Sequence, residues 1–268
     1  MDMDMTGNRG GALTGHVAVV TGAAGGIGSA ISRRLAEADA KLVLLYRHNA
    51  QGAQALVASL PGSDHLPLQA DVTDSASLRR AASAIQARYG KLDVLVNNAG
   101  MTRQVVHQDL EGLDDDLIDQ IFRTNWRGAF ACVRAFHGLL EKAASIDVSA
   151  RQAAQASTVV NISSVAGQIG LGSNVAYCAS KAALDSLTRS LARALAPKVR
   201  VVSVSPGWVL GEYAAKMDPA MIETQRQKTP LGKLSTAEDV AETVYAVIAH
   251  LRQSTGCIIP VDGGRPLL

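Results

Sequence analysis

The chain reads VAVVTGAAGGIG from Val17 to Gly28, an apolar run that turns through several glycines into a helical pattern. The first five residues are nearly all apolar, which is typical of a strand buried on both faces of a parallel sheet. The glycines that follow allow a tight turn and let a helix pack close to the sheet. This strand–turn–helix unit predicts an α/β domain built on a parallel sheet.

The rest of the chain repeats the alternation of short apolar runs and longer helical patterns. The predicted strands are Val17–Thr21, Leu42–Tyr46, Leu66–Gln69, Val94–Asn97, Thr158–Ile162, Val199–Val204 and Cys257–Val261. The predicted helices are Ala30–Ala38, Gln51–Leu60, Leu78–Tyr89, Leu117–Glu141, Val175–Ala196 and Ala237–Leu251, the last opened by a capping box of Ser235 and Glu238. Such alternation predicts a doubly wound parallel sheet flanked by helices.

No linker divides the chain, so we predict a flexible N-terminal arm over residues 1–13 and a single domain over 14–268. Two segments do not fit simple strand–helix units. Ala143–Ser157 either extends the long helix or forms a surface loop. Residues 207–233, which follow the sixth strand, are predicted to form a substrate lid, since loops at the carboxyl ends of strands build the ligand crevice in such sheets.

Composition excludes several classes of protein. Among 268 residues, 26 Lys and Arg nearly balance 24 Asp and Glu, so no surface for nucleic acid or membrane is expected. No apolar run approaches the roughly 20 residues of a membrane helix, and the start of the chain does not read as a signal peptide. Three scattered cysteines without a CxxC pair suggest neither disulfides nor a metal site. We therefore expect a cytoplasmic protein.

The glycine turn suits a dinucleotide. A helix that begins there presents free N–H groups and a positive dipole end to a pyrophosphate. An ordinary glycine-rich turn is the alternative, although the position between strand and helix favours the ligand. Arg47 directly follows the second predicted strand, and no Asp or Glu occurs between Ala40 and Ser63. Because a carboxylate would repel a 2′-phosphate and an arginine can pair with it, NADP(H) is favoured over NAD(H), unless Arg47 is only a solvated surface charge.

Polar residues also follow the third and fourth strands. Asp71, followed by Val72, either accepts from an adenine amino group or serves as a turn residue. The Asn97–Gly100 stretch, which reads Asn-Asn-Ala-Gly, brings backbone beside the cofactor with little side-chain bulk, or is simply a turn.

Tyr177 and Lys181 lie four residues apart on one face of a predicted helix. The lysine ammonium should lower the pKa of the phenol, which then acts as a general acid or base. Ser164, after the fifth strand, can hold the same substrate oxygen, and Asn125 can brace a water linked to Lys181. Taken alone, the Tyr–Lys pair could be two unrelated helix residues. Cys178 is interpreted as a small core residue.

Together these motifs resemble the short-chain dehydrogenase/reductase family over essentially all of residues 13–264. They comprise the turn at 21–28, Asn97–Gly100, Asn125, Asn161–Ser164, Tyr177–Lys181, Pro206-Gly207 and Val261–Gly264. The resemblance implies a Rossmann-type domain with a seven-stranded sheet, a homotetramer or homodimer, and a catalytic tetrad of Asn125, Ser164, Tyr177 and Lys181. Ser164 is chosen over Ser163 because it lies thirteen residues before Tyr177, as the family pattern expects. The predicted cofactor-binding residues are Gly22, Ala24, Gly26, Ile27, Gly28, Arg47, Asp71, Val72, Asn98, Ala99, Gly100, Tyr177, Lys181, Pro206, Gly207 and Val209.

The resemblance is strongest to the 3-oxoacyl-(acyl-carrier-protein) reductase branch, which implies a small-molecule carbonyl or alcohol substrate. The predicted substrate crevice comprises Met101, Thr102, Arg103, Gln168, Ile169, Leu171, Trp208 and Tyr213, with Arg103 either binding an anionic substrate or simply solvated. Where many relatives have a threonine after the Pro-Gly turn, this chain has Trp208–Gly211.

Three different functions remain compatible with the same fold. The length of Ala143–Ser157 and the Tyr46-Arg47 strand end are similar to pteridine reductases, but those usually carry Asp at the position of Ser164. A nucleotide-binding sensor without turnover would need none of the catalytic residues, yet this chain has all four. A dehydratase or epimerase could also be built on this fold, although Ser164, Tyr177 and Lys181 favour simple redox chemistry. The sequence does not specify the physiological substrate or direction.

Overall fold

A computed structural model describes residues 11–144, 156–211 and 218–267. Its strands are β1 (Val17–Thr21), β2 (Lys41–Tyr46), β3 (Leu66–Gln69), β4 (Val94–Asn97), β5 (Ser157–Ile162), β6 (Val199–Pro206), β7 (Val209–Leu210), β8 (Ser235–Thr236) and β9 (Ile258–Val261). Its α-helices are α1 (Gly26–Glu37), α2 (Ala50–Ser59), α3 (Ser75–Tyr89), α4 (Asp115–Phe122), α5 (Ala129–Ala143), α6 (Ala166–Ile169), α7 (Val175–Leu195), α8 (Pro219–Gln227) and α9 (Ala237–Ala249).

Seven strands form one parallel sheet in the order β3-β2-β1-β4-β5-β6-β9, and β7 pairs separately with β8. The predicted doubly wound, seven-stranded α/β fold is confirmed. The chain runs outward from β1 to β3, then returns to place β4 on the other side of β1. Strand order therefore reverses between β1 and β4, and ligands of such sheets bind in the crevice at this point.

Helices cover both faces of the sheet. Helices α1 and α9 pack together on one face, and α3, α5 and α7 cover the other. Leu184, Leu187 and Leu191 are buried on the inner face of α7, as their helical spacing predicts. Phe136 of α5 is fully buried in the same layer, and burial of a side chain of this size contributes about 1.5–3 kcal/mol. This packing fixes α7 against the sheet.

Several local predictions are corrected. The long helix predicted over 117–141 is interrupted by a π-helical turn at Arg123–Gly128, which joins α4 to α5. The capping box of α9 consists of Thr236 and Asp239, one residue later than predicted, because Ser235 instead donates to the carbonyl oxygen of Val261 at 2.7 Å.

The packed domain also begins earlier than residue 14. Leu13 is only 2% exposed, and its N–H donates to the carbonyl oxygen of Ala38 at 2.9 Å. Within the predicted arm, residues 11–13 thus belong to the fold, and residues 1–10 lie outside the described part of the chain. Of the segment Ala143–Ser157, α5 ends at Ala143 and β5 begins at Ser157, while 145–155 lie outside the described residues. Across the described ranges, no helix has the length and apolarity needed to cross a membrane.

Candidate active site

A groove of about 660 Å³ opens at the carboxyl ends of β1, β2 and β4, where strand order reverses. Its walls include most of the residues predicted to bind a cofactor: Gly22, Gly26, Ile27, Gly28, Arg47, Asp71, Val72, Asn98, Ala99, Gly100 and Val209. Ala24 does not line the groove and lies half-buried on the turn, and its contact with a cofactor stays a prediction. Tyr177, Lys181, Pro206 and Gly207 line an adjoining cavity of about 310 Å³.

The floor of the groove is held by hydrogen bonds between two loops. The Asn98 amide donates to the carbonyl oxygens of Thr21 and Gly22 at 2.9 and 3.1 Å. In return, the Thr21 hydroxyl accepts from the N–H groups of Asn98 and Ala99 at 3.0 and 2.9 Å. These bonds join the glycine turn to the end of β4, so the groove is preorganised.

The glycines differ in what surrounds them. Gly22 has a φ of +62°, which favours glycine. A Cβ on Gly28 would lie 2.7 Å from the Asn98 amide nitrogen and even closer to the carbonyl oxygen of Gly22, so this position packs tightly. A Cβ on Gly26 would meet no protein atom within 4 Å and would occupy open space beside the start of α1. This backbone cradle at a helix N-terminus fits a pyrophosphate.

Arg47 and Arg123 place positive charge near Asp71, which lines the groove. Burial acts to raise the pKa of Asp71, but hydrogen bonds from the Thr73 amide and hydroxyl, together with Arg47 and Arg123, hold that pKa below its ordinary value. Asp71 thus performs the turn role that was one of its two predicted roles, and it also lines the groove. Arg47 lies exposed at the end of β2.

Ser164 and Tyr177 meet where the groove opens into deeper cavities. Both residues line the 310 Å³ cavity, and the Ser164 hydroxyl lies close enough to the phenol to act on its pKa. The Ser163 hydroxyl instead donates to the backbone carbonyl of Lys181 at 3.3 Å. Lys181 is 6% exposed, and its Nζ donates to the Ile162 carbonyl oxygen at 2.8 Å and lies 5.7 Å from the centre of the Tyr177 ring. The fold therefore brings the predicted Ser, Tyr and Lys together.

Burial sets the protonation of this cluster. It raises the pKa of the Tyr177 phenol, although the hydrogen bond with Ser164 acts in the opposite direction. Burial also lowers the pKa of Lys181 to about 8, opposed by the negative charge of Asp185. The expected lowering of the Tyr177 pKa by Lys181 is not found, because burial raises this pKa and the lysine is not among the groups that shift it. The phenol is therefore protonated at neutral pH.

Asn125 lies in the π-helical turn between α4 and α5 and is 1% exposed. Its side chain accepts from the Met101 N–H at 2.8 Å and donates to the Met101 carbonyl oxygen at 3.0 Å. It also donates to the Ser180 hydroxyl at 3.0 Å. Asn125 therefore connects the loop after β4 with α7, next to Lys181.

A second residue fixes the phenol from the start of α7. Asn174 is 1% exposed, and its side-chain oxygen accepts from the Tyr177 N–H at 2.7 Å as the helix N-cap. Its amide nitrogen donates to the Arg103 carbonyl oxygen at 2.7 Å and to the Thr102 hydroxyl at 3.2 Å. Asn174 thus joins the helix that carries Tyr177 to the loop at 102–103. The sequence reasoning missed it, although an asparagine at the start of a predicted helix is an N-cap signal.

A further cavity of about 600 Å³, the outer cavity, extends outward from Ser164 and Tyr177. Of the predicted crevice residues, Thr102, Ile169, Leu171 and Trp208 line it, and Met101 lines the neighbouring groove. Gln168 instead donates to the Ser205 hydroxyl, and Tyr213 lies outside the described residues.

Arg103 does not line this cavity, because its guanidinium pairs with the Asp114 carboxylate at 3.3 Å and the Gly112 carbonyl oxygen at 3.0 Å. The lining residues that the sequence reasoning did not find include Met221 and Gln225 on α8 and Arg265 beyond β9.

The described residues of the domain offer this cluster neither a set of metal ligands nor a reactive thiol. Within residues 11–144, 156–211 and 218–267, no group of three His, Cys, Asp or Glu side chains is placed to hold a metal ion. Burial raises the pKa of the Cys178 thiol, which favours its unreactive protonated form.

The fold and the Ser–Tyr–Lys cluster at its switch point define a Rossmann-type α/β enzyme. A family model described as enoyl-(acyl carrier protein) reductase matches residues 22–265. The chain belongs to the short-chain dehydrogenase/reductase family and is an oxidoreductase.

Similar proteins agree with this assignment over nearly the whole chain. A ketoacyl reductase assigned to the granaticin polyketide synthase of Streptomyces violaceoruber is 34% identical, covering 94% of this chain and 96% of that protein. The 3-oxoacyl-(acyl-carrier-protein) reductase FabG of Staphylococcus aureus is 32% identical, with 92% and 96% coverage. A crystal structure described as a short-chain dehydrogenase/reductase from Burkholderia xenovorans superposes with a TM-score of 0.86 at 33% identity, covering 94% of this chain and 98% of that one.

Proposed function

We propose that this enzyme is NADP(H)-dependent and interconverts a carbonyl and a secondary alcohol, with Tyr177 as general acid and base. The observation that carries the proposal is the placement of Ser164 and Tyr177, which together line both the inner 310 Å³ cavity beside the nucleotide-sized groove and the 600 Å³ outer cavity. A substrate oxygen at these two residues would lie beside two hydroxyl groups. The relatives named as ketoacyl reductases support the same reaction class, with a 3-oxoacyl thioester as one candidate substrate.

The residues of the site divide the chemistry between them. When bound, NADPH would supply the hydride that reduces the carbonyl carbon. The Ser164 hydroxyl holds the substrate oxygen, and the Tyr177 phenol donates the proton that completes the alcohol. Lys181, whose pKa of about 8 leaves it mostly charged at neutral pH, stabilises the phenolate that remains. Asn125 holds the loop around Met101 in place and serves the return of a proton from solvent.

Preference for NADP(H) follows from the end of β2. Arg47 lines the groove, and β2 ends without the carboxylate that an NAD-binding site would use for the ribose hydroxyl. Titrating the protein with NADPH and with NADH tests this point. We expect tighter NADPH binding; equal or tighter NADH binding would show that Arg47 does not select the cofactor.

The proton-transfer role is tested by Tyr177→Phe. A general acid contributes about a hundredfold to ten-thousandfold in rate, so kcat for NADPH-dependent reduction of a carbonyl panel should fall at least about a hundredfold, with NADPH binding retained. Tyr245→Phe is the matched control. Tyr245 lies on α9, stacks against Arg34 of α1 and does not line the site. A Tyr177→Phe variant with full turnover would remove the phenol from the mechanism. A wild-type protein that binds NADPH but reduces nothing would indicate a sensor instead.

The proposal also includes the assembly and the location. A homotetramer or homodimer is what the family resemblance implies, and three scattered cysteines without a CxxC pair are typical of a reducing cytoplasm. Static light scattering of the purified chain measures its mass in solution, and a monomer would contradict this part of the proposal.

A further inference from the structure

The outer cavity contains an arginine that has no ion-pair partner among the described residues. Its described lining is largely apolar, formed by Val165, Ala166, Ile169, Leu171, Trp208, Val209 and Met221. Thr102, Gln104, Ser173 and Gln225 add neutral polar groups. Arg265 is the one charged side chain among the described residues of this lining.

Arg265 is partly buried and is bonded to a neutral residue. Its guanidinium donates to the Gln225 backbone carbonyl oxygen at 3.3 Å and to the Gln225 side-chain oxygen. Two hydrogen bonds leave several of the five N–H donors of an arginine available. Burial lowers the pKa of Arg265, which is the direction expected of a cation that has lost hydration without gaining an anion.

The described acids closest in sequence to Arg265 and to its partner Gln225 have other partners. The Asp262 carboxylate accepts from the Gly264 N–H at 2.8 Å, and the Glu223 carboxylate pairs with Arg226. Within the described ranges, no carboxylate lies within ion-pair distance of Arg265. A partly buried cation in an apolar wall is stabilised when a ligand supplies the opposite charge.

We propose that Arg265 binds the carboxylate of the substrate, so that the enzyme acts on oxo-acids and the corresponding hydroxy acids. The inference rests on the proposed function, since Tyr177 and Ser164 line the same cavity and would receive the carbonyl oxygen. The planar guanidinium matches a carboxylate bidentately. Arg103, the arginine that the sequence suggested for this role, is already paired with Asp114 outside the cavity.

The test compares matched substrates of graded length. NADPH-dependent reduction of 4-oxopentanoate, 5-oxohexanoate and 6-oxoheptanoate is measured beside reduction of their methyl esters. We expect the wild-type enzyme to prefer at least one acid over its ester in kcat/KM. Arg265→Gln should reduce kcat/KM for that acid by about tenfold to a hundredfold and leave the ester within about twofold. Arg265→Lys should recover part of the preference, because it retains the charge without the planar fork.

Arg226→Gln is the matched control, since Arg226 is a half-exposed arginine paired with Glu223 and does not line the cavity. Calorimetric titration of the NADP⁺-bound protein with pentanoate and hexanoate provides a readout that does not depend on turnover. Binding by wild type that is lost in Arg265→Gln supports the proposal. Ester reduction without any acid preference, or an acid preference that survives in Arg265→Gln, would overturn it and leave the proposed function standing. Carboxylate binding without reduction of any carbonyl would support Arg265 and contradict the proposed function.

Discussion

Replacing Gly28 with alanine should destabilise the protein, whereas the same change at Gly26 should not. The added methyl group at Gly28 would approach the Gly22 carbonyl oxygen and lie 2.7 Å from the Asn98 amide nitrogen and 3.0 Å from the Ala23 Cα. Two of these three neighbours are backbone atoms, which cannot rotate away. The glycine turn or Asn98 must therefore move, and both help to form the floor of the groove.

The magnitude is the difference between two opposing effects. Overpacking of this kind costs about 1–3 kcal/mol. Alanine gains about 0.5–1 kcal/mol over glycine within a helix, and Gly28 lies in the first turn of α1. The net loss should be about 0.5–2 kcal/mol. In a chain of 268 residues, that corresponds to a decrease in Tm of about 1–4 °C.

Thermal unfolding and NADPH titration of three variants separate the causes. Gly28→Ala should lower both Tm and affinity. Gly26→Ala, whose methyl group meets no protein atom within 4 Å, should keep its Tm but bind NADPH about tenfold more weakly, since the methyl occupies the phosphate cradle. Gly138→Ala, on the exposed face of α5, also meets nothing and should raise Tm slightly. A Gly28→Ala protein as stable as wild type, or a Gly26→Ala protein with unchanged affinity, would refute this reasoning.

Three other predictions concern single residues. Arg47→Asp should reverse the ratio of NADPH to NADH affinity by placing a carboxylate beside the ribose; an unchanged ratio from fluorescence titration would contradict this. Asn174→Ala should lose about 0.5–2 kcal/mol of unfolding free energy in urea melts and lower kcat, whereas Asn174→Asp should retain the helix cap; equal loss in both variants would argue against the cap. Carbonyl reduction should decline as pH rises through about 8, where Lys181 loses its proton, and a rate profile flat to about pH 10 would contradict that role. The unfolded chain keeps this proton to higher pH, so above about pH 8 the group makes folding more favourable as pH rises.

The sheet could be predicted because its strands are continuous apolar runs. Val17–Thr21 and Val94–Asn97 are buried on both faces, and each lies next to a helical pattern with a different period. In the structure β4 pairs with β1 on the side opposite β2, which places the glycine turn beside Asn98. Most of the residues predicted to bind the cofactor therefore lie along one groove.

The corrections have local or long-range causes that the sequence pattern does not contain. The π-helical turn at Arg123–Gly128 adds one residue to a helix whose apolar spacing looks regular. The cap of α9 is one residue later than predicted, because the Ser235 hydroxyl donates to the Val261 carbonyl oxygen on β9. The direction of the Tyr177 pKa depends on burial, and Arg265 reaches the site only through the return of the chain along β9. The cap of α9 and the position of Arg265 each depend on a contact with a residue distant in sequence.

The double attachment of Asn174 has a consequence for how this enzyme can diversify. One side chain secures both the loop at Thr102 and Arg103, of which Thr102 lines the outer cavity, and the backbone amide of Tyr177. Remodelling of that loop to admit a new substrate should therefore also displace Tyr177, the proposed proton donor. Selectivity and turnover should consequently change together in variants of this loop, and a library that diversifies the loop while holding Asn174 fixed should retain more active members than one that randomises both.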